Sequence, residues 1–264
     1  MKIAILNDLH DGEAMEGSPR RCEIVPILLR RAVRRLNELE KPDVTLVLGD
    51  LLNAGDSPDA PERLGLLKQM LDKLKSPYLV IPGNHDGDVD AFYRAFDRPK
   101  DIVDICGVRF LPFLDEEQPH FCAQRSQQDM DRLTMARSGF KGPIVSLQHT
   151  CFFPPDRADA PHNLTNAPDV IRAMKVNGVG LSVSGHYHQG IEDICDDNVL
   201  FVNAPAFCEA PFSYMIIELD PHGRGETQRR ALSMPRHLQL VDTHLHTQMA
   251  YRCRKPCSCQ RPNS

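Results

Sequence analysis

The sequence predicts an α/β fold in which two packed β-sheets are flanked by helices. Short apolar runs alternate with helical patterns over roughly the first 80 residues, in the order βαβαβ that is typical of a largely parallel sheet. Beyond residue 100, several apolar runs follow one another with few helices between them, which favours a second sheet over one open sheet. No linker, repeat or low-complexity stretch interrupts the chain before residue 234, so we expect one domain over residues 1–233 and a tail over residues 234–264.

The first half of the chain supplies three buried strands with helices between them. Residues 2–6 and the runs "VTLVLGD" and "YLVIPGN" are apolar segments that end at glycine or polar positions. The segment "CEIVPILLRRAVRRLNELE" repeats its apolar residues at helical spacing, and most of its arginines fall on the other face, as in a solvent-exposed amphipathic helix. A second helix is predicted near residues 60–75.

The second half contains the strands that we assign to the second sheet. The segment "IVDICGVRFLPF" predicts a hairpin that turns near Gly107. Helices are predicted at about residues 125–138 and 167–176, with a proline-containing loop between them. The runs "PIVSLQH", "VGLSVSGH", "VLFVNAP" and "SYMIIELD" are expected to complete the fold as strands.

The composition is ordinary for a globular protein, with 41% hydrophobic and 25% charged residues. The net charge of −5 gives no reason to expect a nucleic-acid or membrane surface. No apolar run approaches the roughly 18 residues of a membrane span, and the opening residues lack the apolar core and cleavage site of a signal peptide. We therefore expect a cytoplasmic protein. Its oligomeric state is left open, with a homodimer as one option.

Metal-competent side chains follow five of the predicted strands, always at the same end. Because sites in α/β sheets form outside the carboxyl ends of the strands, these groups are expected to converge. A single histidine or aspartate at a strand end is usually an ordinary polar residue, but the matched placement of seven is not expected by chance. Such ligands suit manganese, iron, cobalt or zinc, and seven are too many for one ion with an open position. The predicted ligands are Asp8, His10, Asp50, Asn84, His149, His186 and His188, and a carboxylate such as Asp50 can bridge two ions.

The spacing of these residues supports their convergence. Asp8 and His10 are two apart in a segment expected to be extended, so both should point to the same side, and the same holds for His186 and His188. A glycine stands directly before three of the predicted ligands, where the backbone must turn sharply or approach a neighbour closely. These glycines are Gly49, Gly83 and Gly185.

The polar motifs, taken in order, resemble a known enzyme family. "DLH", "GDLLN", "GNHD", "QH" and "GHYH" are similar to the five signature blocks of the calcineurin-like metallophosphoesterases, over about residues 1–220. The loops look most like the branch of class III cyclic-nucleotide phosphodiesterases and glycerophosphodiesterases, because Pro154 and Pro155 follow the metal histidine. In that branch a second histidine commonly comes directly after the first, whereas Thr150 stands here.

The resemblance implies a four-layer α/β/β/α sandwich and a hydrolase with two transition-metal ions, whose identity among manganese, iron, zinc and cobalt is open. Asp50 would bridge the ions, and His85 would bind no metal but face the leaving group. The first ion would be held by Asp8, His10 and His188, and the second by Asn84, His149 and His186.

The activity that this resemblance implies is hydrolysis of small phosphodiesters by in-line attack of a metal-bridging hydroxide. His85 would stabilise the transition-state oxygens or protonate the leaving alkoxide. A phosphomonoesterase or pyrophosphohydrolase at the same site is the main alternative. A non-catalytic metal-containing scaffold protein is a third, although scaffolds usually lose a ligand or the catalytic histidine. The expected partner is a small-molecule phosphoester rather than a nucleic acid or a membrane.

Residues around these ligands are candidates for supporting roles. Asn53, Asp86 and Asp11 would orient metal-bound histidines, or they are ordinary turn and capping residues. The loop over residues 151–167 is expected to contact the substrate, with phenylalanines that stack on a base or line an apolar pocket, and with an arginine for a second phosphate or a carboxylate. Its candidate residues are Phe152, Phe153, Arg157, His162 and Asn163.

The tail contains a second motif of metal-competent side chains. "VDTHLHT", with Asp242, His244 and His246, resembles the opening motif of the polymerase-and-histidinol-phosphatase hydrolases. The residues that follow have no hydrophobic periodicity and are too few to complete such a domain. The tail is therefore either the stub of a truncated second domain or a disordered segment in which the motif is a coincidence.

Overall fold

Two large mixed β-sheets form the centre of the fold in the computed structural model, which describes residues 1–232. Two further short strands pair with each other. The strands are β1 Lys2–Leu6, β2 Val44–Leu48, β3 Tyr78–Ile81, β4 Val103–Ile105, β5 Val108–Pro112, β6 Glu116–Gln118, β7 Cys122–Gln124, β8 Ile144–Leu147, β9 Val179–Ser184, β10 Ile191–Asp196, β11 Val199–Asn203, β12 Ser213–Leu219 and β13 Gly225–Ala231.

Five α-helices accompany these strands within the described residues. A 3₁₀ turn over Cys22–Ile24 leads into the first helix, and a π-helical turn over Leu36–Glu40 follows it. The helices are α1 Val25–Arg35, α2 Ala60–Leu71, α3 Val89–Ala95, α4 Gln127–Met135 and α5 Ala167–Val176. None of these helices is long and apolar enough to span a membrane.

The first sheet has the order β13-β12-β1-β2-β3, and the second has the order β10-β11-β9-β8-β5-β4. Strands β1, β2 and β3 are parallel to one another, as are β5, β8, β9 and β11. The antiparallel strands stand toward the outside of each sheet, as β12 and β13 in the first and as β4 and β10 in the second. The parallel strands therefore deliver their carboxyl ends to a common edge of each sheet.

Three hydrophobic clusters give the fold its layers. Alternate residues of β1 enter different clusters: Ile3 and Ile5 pack between the two sheets with Val145, whereas Ala4 and Leu6 pack outward. The outward cluster includes residues of α1, α2 and α3, and a third cluster joins the second sheet to α4 and α5. Burying one such aliphatic side chain contributes roughly 1.5–3 kcal/mol. The predicted four-layer α/β/β/α sandwich is confirmed.

Some elements lie where the sequence analysis placed no structure. Helix α3 is only seven residues long, too short for helical periodicity to stand out, and its N-cap Asp88 accepts a hydrogen bond from the Ala91 N–H. Strands β6 and β7 are three residues each and largely polar, so they lack a strand pattern as well. The boundary predicted at residue 233 and the motif at Asp242, His244 and His246 lie outside the described residues and stay predictions.

Candidate metal centre

All seven predicted ligands lie in the loops that directly follow β1, β2, β3, β8 and β9. At the β1 side, the Nε2 atoms of His10 and His188 are 3.1 Å apart, and Nε2 of His10 lies 3.4 Å from Oδ2 of Asp50. Asp8 is buried beside them, and its Oδ2 accepts a hydrogen bond of 3.1 Å from the backbone N–H of His186. These side chains form the first ligand group.

The second ligand group surrounds Nε2 of His149. That nitrogen lies 3.1 Å from Oδ1 of Asn84, 3.2 Å from Nδ1 of His186 and 3.4 Å from Oδ1 of Asp50. Asp50 thus presents Oδ2 to the first group and Oδ1 to the second. This arrangement is what a carboxylate that bridges two ions requires.

The donor atoms of this centre fit metal ions. Lone-pair nitrogens and carboxylate oxygens converge in buried positions, and Oδ1 of Asp8 has no hydrogen-bond partner among the described residues. A buried carboxylate oxygen without a partner is costly unless a cation neutralises it. Imidazole, carboxylate and amide donors together suit borderline transition metals such as manganese, iron, cobalt and zinc. The thiol of Cys208 also lies within 4.8 Å of donor atoms of His10 and His188, a contact that the sequence analysis missed.

Backbone strain coincides with the predicted ligands. Asp8, His10, Asp50 and His186 have φ angles of 50°, 49°, 50° and 67°. This left-handed region costs L-residues roughly 1–2 kcal/mol each. The expectation of extended segments at Asp8 and His10 and at His186 and His188 is therefore wrong, since the chain turns at Asp8, His10 and His186. Strain of this kind concentrates at functional sites, where the surrounding structure holds it in place.

Two glycines allow the loops after β2 and β3 to touch. A Cβ atom on Gly83 would lie 2.2 Å from Oδ1 of Asp50 and 2.7 Å from Cε1 of His149, and one on Gly49 would lie 2.6 Å from the backbone nitrogen of Gly83. Any side chain would push these groups apart. The sequence-based expectation of close approach at these glycines is confirmed, and this approach is what brings Asp50 between the two ligand groups.

A sequence model of the calcineurin-like phosphoesterases matches residues 1–190, which is more than half of the chain. The chain belongs to the calcineurin-like phosphoesterase family. The matched range contains all seven predicted ligands and His85. The part of the chain that matches the family therefore includes the residues that converge at the strand ends.

Two curated relatives match different lengths of the chain. A glycerophosphodiester phosphodiesterase from Enterobacter lignolyticus is 46% identical over 55 residues, which cover 20% of this chain and 18% of the relative. A nuclease subunit from Staphylococcus epidermidis is 29% identical over 142 residues, which cover 46% of this chain and 37% of the relative. The chain thus matches less than half the length of either curated relative.

Among solved structures, a dimetal phosphatase from Danio rerio shares the fold. The two superpose with a TM-score of 0.69 at 16% identity, and the alignment covers 87% of this chain and 95% of that one. At this identity the likeness shows the fold alone. It supports the layered calcineurin-like architecture seen here.

Burial and charge shift the pKa values of several predicted ligands. Burial opposes protonation of His149, but the charge of Asp50 outweighs it and raises the pKa of His149 to about 10. Burial raises the pKa of Asp8 to about 6 and lowers the pKa of His186 to about 3. Without metal, His149 is therefore an imidazolium at neutral pH, and it must lose a proton before its nitrogen can bind an ion.

Metal binding is accordingly expected to release about one proton from His149 at pH 7.5, because the pKa of this ring lies near 10 in the metal-free protein. Calorimetric titration of metal-depleted protein with Mn²⁺, in buffers of different ionisation enthalpy, measures this number. The His149 contribution should vanish above pH 10 and should be joined by a second proton, from Asp8, as the pH falls below about 6. Absence of proton release at pH 7.5 would contradict the assignment of His149.

His85 lies beside the ligands and is held by two hydrogen bonds. Its backbone N–H donates to Oδ1 of Asp50 at 2.8 Å, and its Nδ1 lies 2.8 Å from the backbone carbonyl of Asn53. Because a carbonyl can only accept, Nδ1 carries a proton and Nε2 is left for other chemistry. The His85 ring packs edge-on against the His10 ring, with 4.7 Å between their centroids.

None of the predicted supporting residues holds a metal histidine through its side chain. Oδ1 of Asn53 accepts a hydrogen bond from Arg20, and only its carbonyl orients a histidine, namely His85. The two carboxylate oxygens of Asp86 accept the backbone N–H groups of Leu52 and Gly83, each at 2.8 Å. Asp86 therefore joins the loops after β2 and β3, and burial raises its pKa to about 7. Asp11 pairs with Arg63 at 3.3 Å instead.

The groups that do orient predicted metal histidines were missed from the sequence. The backbone carbonyl of Leu48 lies 2.7 Å from Nδ1 of His149, and Oε1 of Glu209 lies 2.6 Å from Nδ1 of His188. Each contact fixes the Nδ1 proton and turns Nε2 toward the centre. Glu209 stands 21 residues beyond His188 in an irregular loop, so no spacing pattern reveals it.

Replacing Glu209 by alanine is expected to lower the apparent affinity for Mn²⁺ by about 10–100-fold, because His188 loses the partner that orients its ring. Glutamine should cost less, since its amide oxygen can still accept the Nδ1–H. The measurement is phosphoester hydrolysis by metal-depleted protein as a function of Mn²⁺ concentration. Glu218→Ala, an exposed position on β12, is the matched control. Equal Mn²⁺ dependence in Glu209→Ala and Glu218→Ala would exclude a role for Glu209.

The loop over residues 151–167 differs from its predicted role. Phe152 and Phe153 are buried in the cluster that joins the second sheet to α4 and α5, so they cannot contact substrate. The Asn163 side-chain amide donates a 2.9 Å hydrogen bond to the Phe153 carbonyl and so stabilises the loop. Arg157 lines a surface cavity with none of the predicted ligands in its wall. Of the five candidates, His162 alone contacts the centre, with its ring centroid 5.0 Å from that of His186.

A second aromatic residue near the centre comes from the hairpin that the sequence analysis missed. Phe121 lies between β6 and β7, and its ring centroid is 6.5 Å from that of His186 and 5.8 Å from that of His162. The sequence "PHFC" shows no feature that would identify it. The hairpin brings it to the centre through pairing with the loop that carries His162, which is a tertiary contact.

Proposed function

We propose that this protein is a dimetal phosphodiesterase acting on small phosphodiesters. The main support is the position of Asp50. Its two carboxylate oxygens face two separate groups of nitrogen and oxygen donors. Donors arranged on both sides of one carboxylate favour two neighbouring ions over one. Two-ion sites of this kind are typical of enzymes that cleave phosphate esters.

The residues that would hold the ions follow from the two ligand groups. When bound, the ions would neutralise charge on the phosphate and activate water for in-line attack. Asp50 would join both groups. The first group is Asp8, His10 and His188, and the second is Asn84, His149 and His186.

His85 would handle the leaving group. The Asn53 carbonyl keeps a proton on Nδ1 of His85, so Nε2 faces the departing oxygen and can give it a proton when the ring carries protons on both nitrogens. The second hydrogen bond runs from the His85 backbone N–H to Asp50. It holds the His85 backbone at the centre and leaves the ring unused. The ring is therefore positioned by contacts that do not depend on a metal.

The names of the two curated relatives support a diester substrate over a monoester. One is named as a glycerophosphodiester phosphodiesterase and another as a nuclease subunit, and both of those names denote proteins that act on diesters. The net charge of −5 supports a small-molecule substrate over a nucleic acid for this chain. The cytoplasmic location stays a prediction, and the oligomeric state stays open.

The test uses protein purified without chelators. Metal analysis is expected to find two transition-metal ions per chain, and hydrolysis with Mn²⁺ should be faster for bis(p-nitrophenyl) phosphate than for p-nitrophenyl phosphate. Preference for the monoester would support a phosphomonoesterase instead. Bound metal without hydrolysis of esters or pyrophosphates would support the scaffold alternative, and absence of metal would reject the dimetal centre.

A further inference from the structure

Three aromatic side chains form a rim at the side of the centre where the second ligand group lies. The His162 ring centroid is 5.0 Å from that of His186, 5.8 Å from that of Phe121 and 6.4 Å from that of Tyr187. We call Phe121, His162 and Tyr187 the aromatic rim. None of these three rings is needed for the predicted metal ligation.

Phe121 is exposed, unlike the phenylalanines buried in the cluster that joins the second sheet to α4 and α5. Its exposed fraction is 66%, whereas Phe113, Phe152 and Phe153 are at most 4% exposed. A single exposed apolar side chain is ordinary in a folded protein, but this ring adjoins the rings of His162 and His186, so a ligand bound at the second ligand group would cover its apolar face.

The exposed position of Phe121 is held by the structure around it. His120 and Phe121 have φ angles of 64° and 58°, a left-handed conformation that is unfavourable for L-residues. The His120 carbonyl lies 3.1 Å from Nδ1 of His162, and backbone hydrogen bonds join Ala123 to the neighbouring loop. The β6–β7 hairpin and the loop that carries His162 are therefore joined by hydrogen bonds. These bonds hold the backbone of the hairpin that carries the exposed Phe121 ring.

The rings of the aromatic rim and of His85 contact different ligand groups. The His85 ring packs on His10 of the first ligand group, whereas Phe121 lies beside His186 of the second. In an in-line displacement, water adds to phosphorus as the P–O bond to the leaving group breaks, and the leaving oxygen takes a proton. The other ester group stays on phosphorus and departs as a phosphomonoester. A retained group that lies over the second ligand group, away from His85, would contact the rim.

We infer that Phe121 stacks on a flat ring in the retained ester group, and that the substrate is a phosphodiester with an aryl ring or nucleobase in that group. The inference rests on the proposed phosphodiesterase function and deepens it. Aromatic side chains bind rings of either kind by stacking on their faces. Phe121 is thereby a specificity-determining residue rather than a catalytic one.

The experiment compares three diesters that share p-nitrophenol as leaving group, so the chemistry of departure is the same. They are methyl p-nitrophenyl phosphate, bis(p-nitrophenyl) phosphate and thymidine 5′-p-nitrophenyl phosphate. The wild type should show a higher kcat/KM for a ring-bearing diester than for the methyl diester. Phe121→Ala should lower that ratio about tenfold, and Phe121→Trp should retain it. Comparing the aryl and thymidine diesters decides which ring is preferred.

Binding provides a second readout that does not depend on turnover. Thymidine 5′-phosphate, the retained product, should inhibit Phe121→Ala about tenfold more weakly than the wild type, while methyl phosphate should inhibit both alike. Val176→Ala removes an exposed apolar side chain at the end of α5 and is the matched control, with unchanged ratios expected.

The outcomes separate this inference from the proposed function. If the wild type hydrolyses the methyl diester but shows no preference for either ring, the inference fails and the proposed function stands. Equal losses on all three diesters in Phe121→Ala would also reject it, since the ring would then merely support His186. If none of the diesters is hydrolysed with Mn²⁺ bound, the proposed function fails and the inference falls with it.

Discussion

Replacing His85 by alanine is expected to lower kcat for bis(p-nitrophenyl) phosphate by about 10²–10⁴-fold while metal content stays at the wild-type value. The structure explains why the two effects should separate. The contact of His85 with Asp50 uses the backbone N–H, which alanine retains, and its ring is held by the Asn53 carbonyl. Removing the imidazole thus takes away the proton donor and leaves the bridge between the ligand groups in place.

Metal analysis and steady-state kinetics on the same preparation check this prediction. His222→Ala, an exposed histidine in the turn between β12 and β13, is the control and should change neither quantity. A ring nitrogen of His85 lies within 4.8 Å of donor atoms of His10 and Asp50, so the residue is also within reach of a metal. Loss of metal from His85→Ala would show that His85 is a ligand and would reject its assigned role.

The second large effect is expected for Asp50→Asn, which should lose at least one ion and nearly all activity. Asparagine keeps the shape of the side chain but removes its charge, and it places an N–H₂ group where one ligand group needs an acceptor. Removing one partner of a buried charged arrangement typically costs about 3–5 kcal/mol, which corresponds to about 10²–10⁴-fold in metal affinity.

Metal stoichiometry by elemental analysis and Mn²⁺ titration measure this loss. Asp90→Asn, at an exposed position in the first turn of α3, is the matched control. The variant should also lower the pKa of His149, because Asp50 supplies the charge that raises it. Full metal occupancy in Asp50→Asn would contradict the bridging role, and the centre would then consist of two independent sites.

Much of the fold was predictable because its main signals are local. Strands β1, β2 and β3 are continuous apolar runs, and α1 repeats its apolar residues at helical spacing, so short windows of sequence reveal them. Helix α3 and the β6–β7 hairpin were missed because they are too short for periodicity. Their stability comes from contacts with distant segments, such as the pairing of Ala123 with Leu164.

The sequence by itself determined which side chains stand at the strand ends, since each predicted ligand directly follows an apolar run and parallel strands bring those ends together. It could not decide which loop residues face the centre. Phe152 and Phe153 are buried in the core. Phe121 and Glu209 instead contact His186 and His188 at the centre, although their own segments gave no sequence signal. The direction of a loop side chain depends on which distant layer packs against that loop, and only the tertiary structure contains that information.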